Sequence, residues 1–183
     1  MLIAGELRKN NIAEYLLYMW QIEDLIRSRD FDVDQLTELE SDGLSDENLV
    51  LSIRRWYGEL IDMMTVEGVR SCGHLQINNN VLLMLEDLHS RIMSSNGCNT
   101  YKQAYNAALP VIVGYRAKSD ATDKNELESC FEMMYGVWML KLQGRAISAG
   151  TADAASKVSS LLARLAAFYA REREEEIDFD EEE

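Results

Sequence analysis

An almost unbroken helical periodicity is the feature that most constrains how this chain can fold. Apolar residues recur every three or four positions from Asn11 to about residue 170, and the 183 residues include a single proline, Pro110. This spacing places apolar side chains along one face of an α-helix, whereas a strand needs an alternation of period two. No segment keeps such an alternation for long. The sequence therefore predicts an all-α fold, a compact bundle of six or seven helices joined by short loops.

Capping signals set the expected boundaries of these helices. The pairs Asp32 with Gln35, Thr100 with Gln103 and Asp123 with Glu126 have the spacing of a capping box, and Ser45 is expected to cap the third helix. The expected helices are 11–29, 32–40, 45–67, 78–94, 100–118, 124–146 and 151–170.

Two of these helices carry further expectations. Pro110 lies inside the fifth and predicts a kink or a break near 106–109, because proline removes a helical hydrogen bond. The sixth, 124–146, is apolar almost all round, which is typical of a helix in the middle of a bundle.

Charge is unevenly distributed along the chain. The net charge is −14, and residues 172–183 alone carry nine carboxylates and one arginine, or −8. We therefore expect a single helical domain over 1–171 and an acidic tail over 172–183 that is disordered or a frayed helix extension, dispensable for folding. An acidic body repels phosphate, which argues against nucleic acid and membrane surfaces as partners.

Segments for export or membrane insertion are not expected. Uncharged runs are short, such as the 13 residues of 103–115, and none reaches the roughly 18 residues needed to cross a bilayer. Charge appears at Glu6, before the apolar core of a signal peptide could form. The three cysteines are widely spaced without a CxxC pair. These features predict a cytoplasmic protein without a cofactor.

Catalytic and metal-binding motifs are sparse. Phosphate-binding glycine loops and the GxSxG elbow do not occur. Glu86 and His89 have the Glu-x-x-His spacing of di-iron bundles, but that architecture needs the motif twice. We therefore interpret His89 as a half-buried surface histidine and expect no metal, with a metalloenzyme using Glu86 and His89 kept as the weaker alternative.

Two charged residues stand on apolar helix faces. Glu23 falls among Leu16, Met19 and Trp20 in the projection of its helix, and Arg116 falls beside Tyr105 in another. Because a buried charge without a partner is costly, each should find one. Arg27, one turn away, is a local partner for Glu23. Otherwise Glu23 and Arg116 meet in the interior and, with Tyr105, anchor a ligand.

Four stretches resemble an uncharacterised bacterial family classed as a domain of unknown function. They are NIAEYLLYMWQIEDLIR (11–27), EGVRSCGHLQINNNV (67–81), LPVIVGYRAKS (109–119) and ESCFEMMYGVWMLKLQGRAIS (128–148). The resemblance extends to about Arg171 and implies one helical domain, but no substrate and no catalytic residue.

The sequence thus favours a non-enzymatic function based on binding. The best interpretation is a helical protein that binds another protein or a second copy of itself. A bundle that binds a small molecule through Glu23 and Arg116 is the first alternative.

Overall fold

The computed structural model describes residues 2–119, 124–174, 177 and 179–180. In this part of the chain the regular structure is entirely helical, which confirms the all-α class. The helices are α1 (Leu2–Asn10), α2 (Ile12–Ser28), α3 (Val33–Ser41), α4 (Glu47–Val66), α5 (Gln76–Ser94), α6 (Asn99–Arg116), α7 (Glu126–Leu142) and α8 (Ala149–Glu174).

The described residues thus form eight helices rather than six or seven. The unexpected one is α1, which has nine residues and ends in charged and polar groups. It buries Ala4 but leaves Ile3 half-exposed, so it has no continuous apolar stripe that a periodicity argument could detect. None of the described helices is long and apolar enough to cross a bilayer.

The chain divides into two compact units. The first comprises residues 1–10 and 14–81, and the second comprises 11–13 and 82–183. The boundary therefore falls within α5, after Val81.

The first unit contains α3 and α4 packed against each other, together with the apolar face of α2. Asp32 caps α3 as expected: its carboxylate accepts the Asp34 and Gln35 N–H groups at 2.9 and 3.1 Å, and the Gln35 amide returns a hydrogen bond at 2.9 Å. The cap of α4 is Asp46, which accepts the Asn48 N–H at 2.9 Å. The assignment of this cap to Ser45 was wrong by one residue.

The second unit contains α6, α7 and α8, which pack on one another. The cap predicted at Thr100 was wrong, because α6 begins at Asn99 after Cys98, whose φ of +58° turns the chain without a side-chain cap. The helix then continues through Pro110 without a break. Asn125 caps α7 by accepting the Glu128 N–H at 2.7 Å, whereas the predicted cap Asp123 lies outside the described residues.

The end of α7 differs from the expectation. The helix stops at Leu142 rather than at residue 146, because Gly144 turns the chain at φ +67° and brings the Arg145 N–H to the Leu140 carbonyl at 3.0 Å. Its first half is buried, but from Glu132 onward only Val137 is, and Tyr135 and Trp138 are half-exposed. The expected central position of α7 is therefore wrong for its second half.

The described part of the C-terminal segment begins as an extension of the last helix. Helix α8 continues three residues beyond Arg171, and the Phe179 ring lies 6.1 Å from that of Phe168. The expectation that residues 172–183 are dispensable for folding stays a prediction.

Candidate functional site

Glu23 is the most completely enclosed charged group among the described residues, with 1% of its surface exposed. Its Oε1 accepts hydrogen bonds from the Leu75 N–H at 2.9 Å and from the Asn78 amide at 2.6 Å. Its Oε2 accepts one from His74 Nδ1 at 2.6 Å. The carboxylate lies at the N-terminus of α5, where the helix dipole also favours a negative charge.

The segment 67–75 owes its position to α2. One turn after Glu23, the Arg27 guanidinium donates to the Val69 carbonyl at 3.0 Å and to the Gly73 carbonyl, and it pairs with Asp24 at 2.8 Å. The hydrogen-bond partners of Glu23 thus come from segment 74–78, whereas the sequence analysis had offered Arg27 or Arg116 as its partner. Two of the stretches that carry the family resemblance meet here.

His74 and Asn78 are partners that the sequence analysis missed. The His74 ring stacks on the Trp20 indole with centroids 4.1 Å apart and planes inclined by 11°. The available signal was a histidine in the short connection before a helix.

Arg116 forms a hydrogen bond within the second unit. Its Nη2 donates to the Lys124 carbonyl at 2.8 Å. The Lys124 ammonium in turn pairs with Glu132 and approaches Glu128 at 3.6 Å. Arg116 therefore holds Lys124, two residues before the start of α7, close to the Glu128 and Glu132 side chains of that helix.

Tyr105 and His89 come together in the second unit. The Tyr105 hydroxyl donates to Glu126 at 2.6 Å, and its ring lies 5.2 Å from that of His89. Burial and the hydrogen bond to Glu126 raise the pKa of Tyr105 to about 12. His89 Nδ1 lies 2.7 Å from the Tyr101 hydroxyl, and burial lowers the pKa of His89, so the imidazole is neutral at pH 7.

Glu86, the other metal candidate, accepts a hydrogen bond from the Asn125 amide. His89 is half-buried, as the sequence analysis proposed. Within the described ranges, no three His, Cys, Asp or Glu residues are grouped so that they could hold a metal ion. The ligand-binding roles of Glu23, Arg116 and Tyr105 stay predictions.

An open groove crosses the second unit between α6, α7 and the start of α8. Its volume is about 790 Å³. Its apolar walls come from Pro110, Val111, Met133, Val137, Leu140 and Ala154, and its polar groups from Tyr115, Lys118, Glu132, Ser148 and Thr151. Burial and the neighbouring Glu132 carboxylate raise the pKa of Tyr115, so its hydroxyl keeps its proton at neutral pH.

Glycines leave the groove wide. Gly114, Gly136 and Gly150 all line it. A Cβ atom added at Gly114 or Gly136 would meet no atom within 4 Å. The space beside these two glycines is therefore not needed for packing of the chain itself.

Comparison with known proteins identifies a family but no function. The model of DUF4924, described as a domain of unknown function, matches residues 1–176. No curated protein and no solved structure matches the chain.

Proposed function

We propose that this chain, which belongs to the DUF4924 family, binds a small apolar molecule carrying one acidic group in the groove between α6, α7 and α8. The observation that carries the proposal is the groove itself. Its volume of about 790 Å³ lies within the roughly 300–1,000 Å³ of small-molecule sites, and its walls are mainly apolar with few polar groups.

The second half of α7 supports this proposal. Met133 and Leu140 are half-exposed, although the helix is apolar enough to be buried on all sides. Apolar surface left in contact with water is costly, and a contiguous patch of it commonly marks a binding site. An apolar ligand in the groove would cover these side chains.

Charge favours an acidic head group. Two charged side chains line the groove, Lys118 and Glu132. The Glu132 carboxylate is already paired with Lys124, whereas the Lys118 ammonium forms no ion pair with any residue in the described ranges. A ligand carboxylate would therefore pair with the Lys118 ammonium. Arg116 contributes indirectly, because it holds Lys124, the ion-pair partner of Glu132, in position.

Calorimetric titration with octanoate tests the proposal. Wild-type protein should bind octanoate, and Gly136→Leu should weaken binding by at least about tenfold, because the leucine side chain fills the groove. The matched control is Gly58→Leu, a helical glycine in the first unit with equally open space. Both variants should fold, since leucine is a better helix former than glycine. Equal affinity in wild type and Gly136→Leu would overturn the proposal.

The head group is tested with octanol, which has the same chain length and no charge. Octanol should bind wild type more weakly than octanoate does. Lys118→Met should remove that difference by weakening octanoate alone. A preference for octanoate that survives Lys118→Met would show that Lys118 does not bind the acidic group.

Binding to another protein or to a second copy of the chain stays a prediction, as does the cytoplasmic location. The small-molecule interpretation is preferred because the groove volume matches such ligands. Light scattering across a range of protein concentrations tests self-association directly.

A further inference from the structure

The described end of the chain contacts the corner between α5 and α6. The Phe179 ring lies 6.1 Å from the Phe168 ring of α8, and the Arg91 guanidinium lies 5.6 Å from the Phe179 centroid. An aromatic side chain placed between another ring and a cation gains both apolar and cation–π stabilisation. Phe179 therefore has the contacts of an anchor residue.

The next residue binds the same corner through polar groups. The Asp180 carboxylate accepts the Asn96 backbone N–H at 2.6 Å. The Cys98 thiol donates to the Phe179 carbonyl at 3.5 Å. Phe179 and Asp180 are thus held by one aromatic ring, one cation, one main-chain N–H donor and one thiol.

A space of about 720 Å³ remains between Arg91, Ser94, Ser95 and Asn96 on one side and Ile177, Phe179 and Asp180 on the other. The family model ends at residue 176, so the corner belongs to the matched region, whereas the docked residues Ile177, Phe179 and Asp180 do not.

We propose that this corner is a binding site for an acidic peptide with an aromatic anchor, and that the chain's own C-terminal segment occupies it as an internal competitor. The occupant presents an aromatic ring to Phe168 and Arg91 and a carboxylate to the Asn96 N–H. Arg91 also pairs with Glu172 and with Asp87, the latter at 2.9 Å, so the cation is held in place before a peptide arrives. The groove between α6, α7 and α8 shares none of these residues.

Fluorescence anisotropy with a labelled peptide of sequence 174–183 tests this proposal. The full-length Phe179→Ala protein should bind the peptide about tenfold more tightly than wild type, because its own segment no longer competes. Equal affinity for the two proteins, or no binding to either, would overturn the proposal.

Substitutions in the peptide distinguish recognition of its phenylalanine and aspartate from nonspecific attraction. They leave the fold of the protein unaltered. Against the Phe179→Ala protein, a peptide with alanine in place of its phenylalanine should lose most binding, and one with asparagine in place of the following aspartate should bind severalfold more weakly. If both altered peptides bind as well as the original one, the corner does not recognise the anchor, and the proposal fails. Arg91→Met in the Phe179→Ala protein should also reduce affinity, with the melting temperature measured to confirm folding.

Discussion

The hydrogen bonds of Glu23 show how a buried charge can be satisfied without an oppositely charged helix partner. Three donors, from His74, Leu75 and Asn78, surround a carboxylate that is almost fully enclosed. Arg27 holds the carbonyl groups of the same segment. Glu23 and Arg27, one turn apart on α2, therefore bind the hydrogen-bond donors and the carbonyl acceptors of the connection that leads into α5.

Replacing Glu23 with glutamine should destabilise the fold by about 2 kcal/mol, since an amide offers one acceptor where the carboxylate offers two. Urea denaturation measures the change in the free energy of unfolding. The control is Glu14→Gln, an exposed position on the same helix, which should change it by less than about 0.5 kcal/mol. Equal effects at the two positions would show that the Glu23 hydrogen bonds contribute nothing specific.

Tyr57 should make stability depend on alkaline pH. Its side chain is fully buried and donates to Glu40 at 3.1 Å, and burial together with that carboxylate raises its pKa well above the ordinary value of 10.0. A group whose pKa is higher in the folded state stabilises the fold below its unfolded pKa, and the contribution is lost as pH rises further.

Between about pH 9 and pH 11, the free energy of unfolding should therefore fall more steeply in wild type than in Tyr57→Phe. Parallel slopes in wild type and Tyr57→Phe would contradict the assignment.

At the scale of the helices, periodicity predicted most elements and capping chemistry predicted their ends less well. The cap at Asp32 was predictable because Asp32 and Gln35 have the spacing of a capping box, and the Gln35 amide does bond the Asp32 carboxylate. Ser45 and Asp46 are adjacent residues that both favour caps, so the sequence could not separate them. In α7, an apolar pattern all round cannot show which part of the helix the rest of the chain leaves uncovered.

Alanine substitution distinguishes the two candidate caps. Asp46→Ala should cost about 1 kcal/mol, because the Asn48 N–H loses its acceptor. Ser45→Ala should leave stability nearly unchanged. Urea denaturation of both variants provides the comparison, and a larger loss for Ser45→Ala would restore the original prediction.

At the scale of the whole molecule, the all-α class followed from the sequence and the candidate groove did not. The class depends on a repeated local pattern that every long helix reinforces. The groove depends on how α6, α7 and α8 pack, which is tertiary information. The predicted ligand residues Glu23, Arg116 and Tyr105 are not among the side chains that line the groove. Arg116 reaches the carbonyl of Lys124, whose ammonium pairs with Glu132 of the groove wall.

Removing the residues after Glu174 should lower the melting temperature by a few degrees. The Phe179 contacts are worth roughly 1–2 kcal/mol, and each 1 kcal/mol shifts the midpoint by about 2–4 °C in a chain of this size. Phe179→Ala should reproduce most of the shift. A truncated chain that melts with wild type in differential scanning calorimetry would show that the Phe179 contacts contribute no stability.

The central claim is that the groove binds an apolar molecule with an acidic group, and amide NMR shifts during an octanoate titration test it most directly. We predict saturable shifts confined to 110–118, 132–140 and 148–154, and their loss in Gly136→Leu but not in Gly58→Leu. Shifts spread over the first unit, or unchanged by Gly136→Leu, would contradict the proposed function.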